Sequence, residues 1–357
     1  MTEGNNQILS DSTRNQSNGE SLYSGISALI PGLLLVSGLS IVALVLGYLI
    51  PVVGSPVFAI VGGIAVTLFR TPRQNFQTGI HFAGRYILQS AIVVFGLELS
   101  FTQVLATGLS SLPVMLGSLT VALVGARIIG SRLSISNDLR TLIGVGTGIC
   151  GASAIAATDA VISASEADVS YAVATIFTFN VAAVLSFPTI GHLLAFGPHQ
   201  FGLWAGTAVN DLSSVVAATS IFGHGATSYG VVVKLTRTLM IIPITIGIGL
   251  WRARKLESEI KDKVAFIDHI KRIFPIFILW FLIAVTINTS GLIPHHFHSD
   301  ISTLAQVMIT MALAGIGLST KFKDIRKAGI KPLALGASLW ILVGVSSLGL
   351  QYLTKLL

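Results

Sequence analysis

Charge is what this chain has least of. Asp, Glu, Lys and Arg make up 10% of its 357 residues, apolar residues make up 52%, and the mean hydropathy is +0.82. A water-soluble domain of this length does not keep such a balance, so the expected solvent is lipid. Cysteine is nearly missing: Cys150 stands alone, and both an internal disulfide and a cysteine-based zinc site need more than one thiol. A nucleophile elbow, a phosphate loop, a zinc-protease motif and a dinucleotide fingerprint are all lacking. Their absence argues against an ATP-driven pump or a familiar membrane enzyme, and no catalytic residue, cofactor or metal is expected. His295, His296 and His298 lie together but lack a second ligand cluster, and they read as surface residues.

Large apolar side chains are scarce in residues 1–24, which are rich in Ser, Asn, Gln and Gly. Such a segment cannot bury enough surface to offset its ordering entropy, so it reads as a disordered cytoplasmic tail. The first apolar run begins near Ile26, too far along for a cleavable signal. Residues 25–357 read as a single polytopic membrane domain.

Eleven apolar runs are long enough to approach a crossing: 28–50, 55–70, 80–98, 110–130, 141–162, 169–190, 200–222, 227–250, 272–289, 301–319 and 333–354. The formal charge of +7 could suggest nucleic acid, but the placement of the cations decides otherwise. Arg70, Arg73 and Arg85 follow or flank the second run, Arg127, Arg132 and Arg140 the fourth, seven Lys and Arg between 252 and 272 the eighth, and five between 321 and 331 the tenth. The breaks after runs one, three, five, seven and nine hold none. Cations stay on the cytoplasmic side, so the expected topology in the cell membrane has the amino terminus inside and the carboxyl terminus outside.

Two internal similarities suggest a repeat. Gly96-Leu97-Glu98-Leu99-Ser100-Phe101, followed by Gly108 and Pro113, returns as Gly317-Leu318-Ser319-Thr320-Lys321-Phe322, followed by Gly329 and Pro332, at an offset of 221. These copies follow runs of opposite direction, as in inverted-repeat transporters whose sites lie where helices are broken. Gly146-Thr147 to Ala156-Ala157 likewise resembles Gly206-Thr207 to Ala217-Ala218. With eleven crossings those two segments point the same way, so they form an inverted pair only if re-entry occurs.

The chemistry concentrates in these segments. Glycines at 144, 146, 148 and 151 permit a helix break whose free N–H groups suit an anion, with Thr147 and Ser153 as hydroxyl donors. Asp211 and Asp159 are acids inside apolar runs, where an ionised group costs at least about 2.5 kcal/mol. Asn210 and Asn180 supply amides, and Lys234 and Arg237 share one helix face. Intramembrane cations need a partner, an aqueous cavity or a path to the interface; the bland reading is that they neutralise Asp211.

On the run from Gly146 through Cys150-Gly151-Ala152-Ser153-Ala154 to Asp159, the Gly206 to Ala218 segment, Val233-Lys234-Leu235-Thr236-Arg237, and Gly317-Leu318 to Gly336, the chain resembles the YeiH family, a group labelled sulfate exporters. The resemblance covers about residues 30 to 355. It implies kinship with bile acid and arsenite transporters, an inverted-repeat, broken-helix core, and sulfate or a sulfonate as substrate. Where some members carry His-Glu, this chain has Asn210-Asp211, which removes a titratable imidazole.

The resulting expectation is an all-α integral membrane protein of about eleven transmembrane helices. It would move a small inorganic or organic anion by alternating access, with a proton or sodium ion coupled. Substrate-binding residues would be Thr147, Gly148, Cys150, Gly151, Ser153, Thr207, Asn210, Ser213, Lys234 and Arg237, and ion coupling would fall to Asp211 and Asp159. The alternative is an anion channel or a ligand-sensing membrane protein. The expected partners are the lipid bilayer and no nucleic acid, and the small-residue helix faces permit a homodimer.

Overall fold

A computed structural model describes residues 27–50, 54–70, 72–223, 225–256, 276–294, 297–320 and 329–356, and every regular element among them is helical. The tail at 1–24, the basic segments at 257–275 and 321–328, His295 and His296 lie outside the described residues. Apolar composition is continuous where the helices form, and Gly, Ser or Pro stands at most breaks.

The helices are α1 Ser27–Leu49, α2 Ser55–Phe69, α3 Gln74–Phe82, α4 Leu88–Gly96, α5 Phe101–Arg132, α6 Asn137–Gly148, α7 Ala152–Ile162 and α8 Glu166–Leu193. They continue with α9 Pro198–Ala208, α10 Leu212–Phe222, α11 Ala226–Thr238, α12 Ile241–Leu256, α13 Ile276–Thr289, α14 His298–Ser319 and α15 Ile330–Leu353. A π-helical turn, Ala83–Ile87, joins α3 to α4. Among the described residues, six stretches are long and apolar enough to cross a membrane: α1, α5, α8, α14, α15 and the Ala226–Ile248 span of α11 with α12. The described residues divide into two compact units, one of those up to residue 89 together with 306–320, the other of those in 90–305 together with those after 320.

In the first unit, small residues let helix backbones approach closely. A Cβ on Gly317 of α14 would stand 2.4 Å from the Ile60 carbonyl oxygen of α2 and 3.0 Å from Gly63 Cα. Gly317→Ala should therefore force these two helices apart and cost roughly 1–3 kcal/mol. The readout is a lower detergent melting temperature, and an unchanged one would contradict this packing.

In the second unit, residues 141–162 and 200–222 are not single crossing helices. Each is a hairpin of two short helices that ends on the side where it began. Ser136, the N-cap of α6, hydrogen bonds Asp168 at the start of α8 at 3.4 Å. Ile162 at the end of α7 packs in one cluster with Ile135 and Leu139. The outer ends of α6 and α7 thus lie together beside the first turn of α8. At the other end of α8, Gly191 is in contact with Phe201 of α9 and Phe222 of α10, whose rings stack at 3.9 Å. The outer ends of α9 and α10 therefore lie together beside the last turn of α8. Gly202 and Gly206 of α9 face Tyr229 and Val233 of α11 in parallel order, and Gly230 faces Thr219 and Val215 of the returning α10.

Long helices run past both hairpins. On α8, Ala172 and Ile176 pack at the first hairpin and Ala183 and Phe187 at the second. On α15, Leu335 and Leu339 belong to the first hairpin's cluster, while Val343 packs with Trp204 of the second. Trp204 is anchored there by stacking on Phe187 at 4.2 Å and by donating from Nε1 to the Gly344 carbonyl at 3.0 Å. On α5, Leu119 and Ala122 meet Gly148, whereas Val114 packs with Leu203 and Val233. These helices hold the two hairpins tip to tip.

Candidate functional site

A helix of twelve residues and a partner of eleven reach only partway through hydrocarbon, about 18 Å each. Their inner ends therefore bring unpaired backbone groups to the depth where water cannot satisfy them. At the first tip, α6 ends at Gly148 and α7 begins after Gly151, which takes φ 73° and ψ −130°, a backbone open to glycine. At the second tip, α9 ends at Ala208 and α10 begins after Asp211. The tips touch: a Cβ on Gly151 would stand 3.3 Å from Asp211 Cβ and 3.7 Å from the Asn210 carbonyl oxygen.

Lys234 and Arg237 on α11 serve the carbonyl ends of both hairpins. Lys234 Nζ donates to the carbonyls of Ile149, at 2.8 Å, and Val209, at 2.7 Å. Arg237 donates to Gly148 at 2.5 Å, to Thr147 at 3.3 Å, and to Thr207. Both side chains are wholly buried. Helix C-termini carry partial negative charge, so two cations here satisfy orphan carbonyls and two dipole ends at once. Lys234 and Arg237, expected to bind substrate, donate here to backbone carbonyls of both tips. They are not a simple ion pair with Asp211.

The amino ends of the returning helices differ from each other. Asp211 is the N-cap of α10: its Oδ1 accepts from Ser214 N–H at 2.7 Å and from the Ser213 hydroxyl at 2.5 Å. Its Oδ2 accepts from the Ser214 hydroxyl at 3.0 Å and from the Asn180 amide. The α7 N-cap is Gly151, which has no side chain to cap with, and Ser153 in the first turn is exposed. One carbonyl-bearing pair of ends is thus closed by cations, one amino end by a carboxylate, and the α7 amino end carries no side-chain cap.

The other expected residues divide clearly. Gly148, Cys150, Gly151, Asn210 and Ser213 all lie at the tips, and Thr147 contributes its carbonyl. Thr207 turns its hydroxyl to Leu203 O at 2.7 Å and Ser347 Oγ at 2.6 Å. Asp159 is not brought to the tips. It sits seven residues into α7, about 10 Å along the axis, where its Oδ1 accepts from Ala164 N–H at 3.0 Å in the turn that leads from α7 to α8. The sequence reading gave Ser214 no role, although Asp-Leu-Ser-Ser ahead of an apolar run is a readable cap signal. The part played by the Ile149 and Val209 carbonyls had no side-chain signal at all.

Residues 31–336 match the family model described as conserved hypothetical protein 698. The chain is 43% identical over 330 residues to a UPF0324 membrane protein of Streptococcus pyogenes, covering 90% of this chain and 96% of that one. It is 40% identical over 329 residues to a UPF0324 membrane protein of Streptococcus agalactiae, covering 90% and 96%. A third, from Streptococcus mutans, is 39% identical over 331 residues, covering 91% and 97%. These matches agree with the YeiH resemblance at the level of the family, and none of the names carries a substrate.

Proposed function

This chain belongs to the conserved hypothetical protein 698 family, whose relatives are UPF0324 membrane proteins, and from that premise we propose that it is a secondary transporter moving a small anion by alternating access. The observation that carries the reading is the pair of basic side chains, Lys234 and Arg237, hydrogen bonded to both hairpin tips close to the Asp211 N-cap. Lys234 and Arg237 contribute two positive charges, Asp211 one negative, and the paired helix ends offset one another. One positive charge remains beside the uncapped amino end of α7. Backbone N–H groups and the Ser153 hydroxyl are suitable donors to an oxyanion there. Sulfate or a sulfonate fits this chemistry, as implied by the resemblance. Asp211 would couple the cation, while Asp159 closes a turn.

The hairpins also account for the similarity of Gly146 to Ala157 with Gly206 to Ala218. Each segment re-enters from an opposite end of α8, so the two form an inverted pair within the core. With two of the eleven apolar runs read as hairpins, nine would remain to cross. Because each hairpin returns to the face it left, removing two crossings preserves parity, with the amino terminus cytoplasmic and the carboxyl terminus outside. The 191–199 break, which contains no Lys or Arg, then moves from the cytoplasmic to the outer face.

Flux of labelled sulfate and taurine into proteoliposomes tests the reading, with valinomycin-set potentials to separate carrier from channel. A saturable, counterflow-competent flux is expected, whereas large currents without counterflow would favour the channel. Asp211→Asn should keep the fold, since Asn caps helices about as well as Asp, yet lower flux at least about tenfold and abolish its cation dependence. Unchanged flux and unchanged dependence would remove Asp211 from coupling.

A further inference from the structure

Among the described residues, two amide oxygens around the hairpin tips stand out as buried side-chain atoms that lack a partner. Asn180 Oδ1 and Asn210 Oδ1 are buried without a hydrogen-bond partner, and the residues are 3% and 1% exposed. An unpaired buried amide oxygen costs about 1–3 kcal/mol, and such groups call for an explanation. Both belong to the surroundings of one carboxylate: Asn180 donates its amide to Asp211 Oδ2, and Asn210 directly precedes Asp211 in the chain. Asn180 lies midway along α8, between the parts that pack on the two hairpins. Two neutral amide oxygens, one on a residue hydrogen bonded to a carboxylate and one on the residue preceding it, are with that carboxylate hard ligands, a set that suits a small monovalent cation rather than a transition metal.

We infer that Asn180 Oδ1, Asn210 Oδ1 and Asp211 form a sodium site at the point where the two hairpin tips meet. The inference rests on the transporter reading and names its coupling ion. The Ser213 and Ser214 hydroxyls that now donate to Asp211 rotate freely, so they can turn their lone pairs to an incoming ion without moving the backbone. The Ser214 N–H bond to Oδ1 keeps the carboxylate in place during that change.

The surroundings make sodium and the anion depend on each other. Lys234 reaches the Val209 carbonyl, one residue from Asn210, so a sodium ion alone adds a third positive charge beside Lys234 and Arg237. That binding is opposed. Once sodium is bound, the net charge at the tips rises from one to two, which matches a dianion at the α7 amino end. Sodium therefore tightens dianion binding, and by linkage the dianion tightens sodium binding by the same factor.

The test is sodium titration of the purified full-length protein in detergent, followed by thermal shift at constant ionic strength with choline as replacement and gluconate as the counter-ion. A saturable, sodium-specific rise in melting temperature is expected, with a sodium midpoint at least about fivefold lower when sulfate is present. Asn180→Leu and Asn210→Leu should each weaken the sodium midpoint about tenfold or more. Wild-type protein that responds equally to sodium and choline overturns the site without any variant needing to fold. Variants that stay monodisperse and keep the wild-type midpoint also overturn it. Loss of the sodium shift with a sulfate shift retained removes the cation site alone, whereas a sodium shift with no response to any anion removes the anion-transport reading instead.

Discussion

Lys234→Met is expected to yield protein that is poorly monodisperse, with a melting temperature lowered by about 5 °C or more. The substitution keeps the apolar stem and removes the Nζ that donates to Ile149 and Val209. Two wholly buried carbonyls then lose their only charged donor, at about 1–3 kcal/mol each, and the carbonyl ends of α6 and α9 lose a compensating cation. A combined loss near 4 kcal/mol converts to roughly that temperature shift for a chain of this size. Arg237→Met should behave alike, since Thr147, Gly148 and Thr207 lose their donor. Arg237→Lys should rescue only part, because a single ammonium cannot span three carbonyls in a fork. Size-exclusion profiles and thermal melts in a mild detergent decide the matter. Wild-type stability in Lys234→Met would mean that water or another group satisfies the tips, and the backbone-holding role would fall.

Ser153→Asp should separate stability from transport in opposite directions. A carboxylate in the first turn of α7 meets the positive end of a helix whose N-cap, Gly151, offers no side chain. Such a charge stabilises a helix by about 0.3–1 kcal/mol, more where it is partly buried. The same carboxylate takes the position proposed for the substrate anion and cancels the spare positive charge. The melting temperature should hold or rise, while sulfate-dependent stabilisation disappears and flux falls at least about a hundredfold. Ser153→Ala, which keeps the backbone donors, should lower flux by only about tenfold. Equal flux in Ser153→Asp and wild type would move the anion site away from the α7 amino end. A lower melting temperature in both variants would instead give Ser153 a packing role, which its exposure makes a poor fit.

The residues at the site were more legible than the way the chain reaches it. Gly146 to Ser153 and Gly206 to Ser213 carry glycine, hydroxyl and acid where a helix crossing lipid ordinarily has none, so the broken segments were readable from composition. Their hairpin geometry was not. A run of about twenty apolar residues has the same composition whether it crosses once or goes halfway and returns, because lipid or protein surrounds it in either case. The alternation of Lys and Arg could not reveal the error, since two hairpins in place of two crossings leave parity unchanged. The Gly-Thr similarity between the segments held the clue, as two parallel crossings could not make them an inverted pair.

By itself, the sequence determined the solvent and the candidate chemistry: a chain with 10% charged residues folds in lipid, and the few polar groups inside its apolar runs mark the candidate site. Tertiary structure alone decided what those groups do. Asp159 and Asp211 are the same residue type in similar segments, yet one closes a turn and the other caps α10 at the meeting of the tips. Lys234 and Arg237 are three residues apart on one face, but only the convergence of α6 and α9 supplies the carbonyls that hold them. The reason is that helix ends are electrostatic objects without a side-chain signature: their partial charges come from backbone groups common to every residue, and only folding brings those ends together.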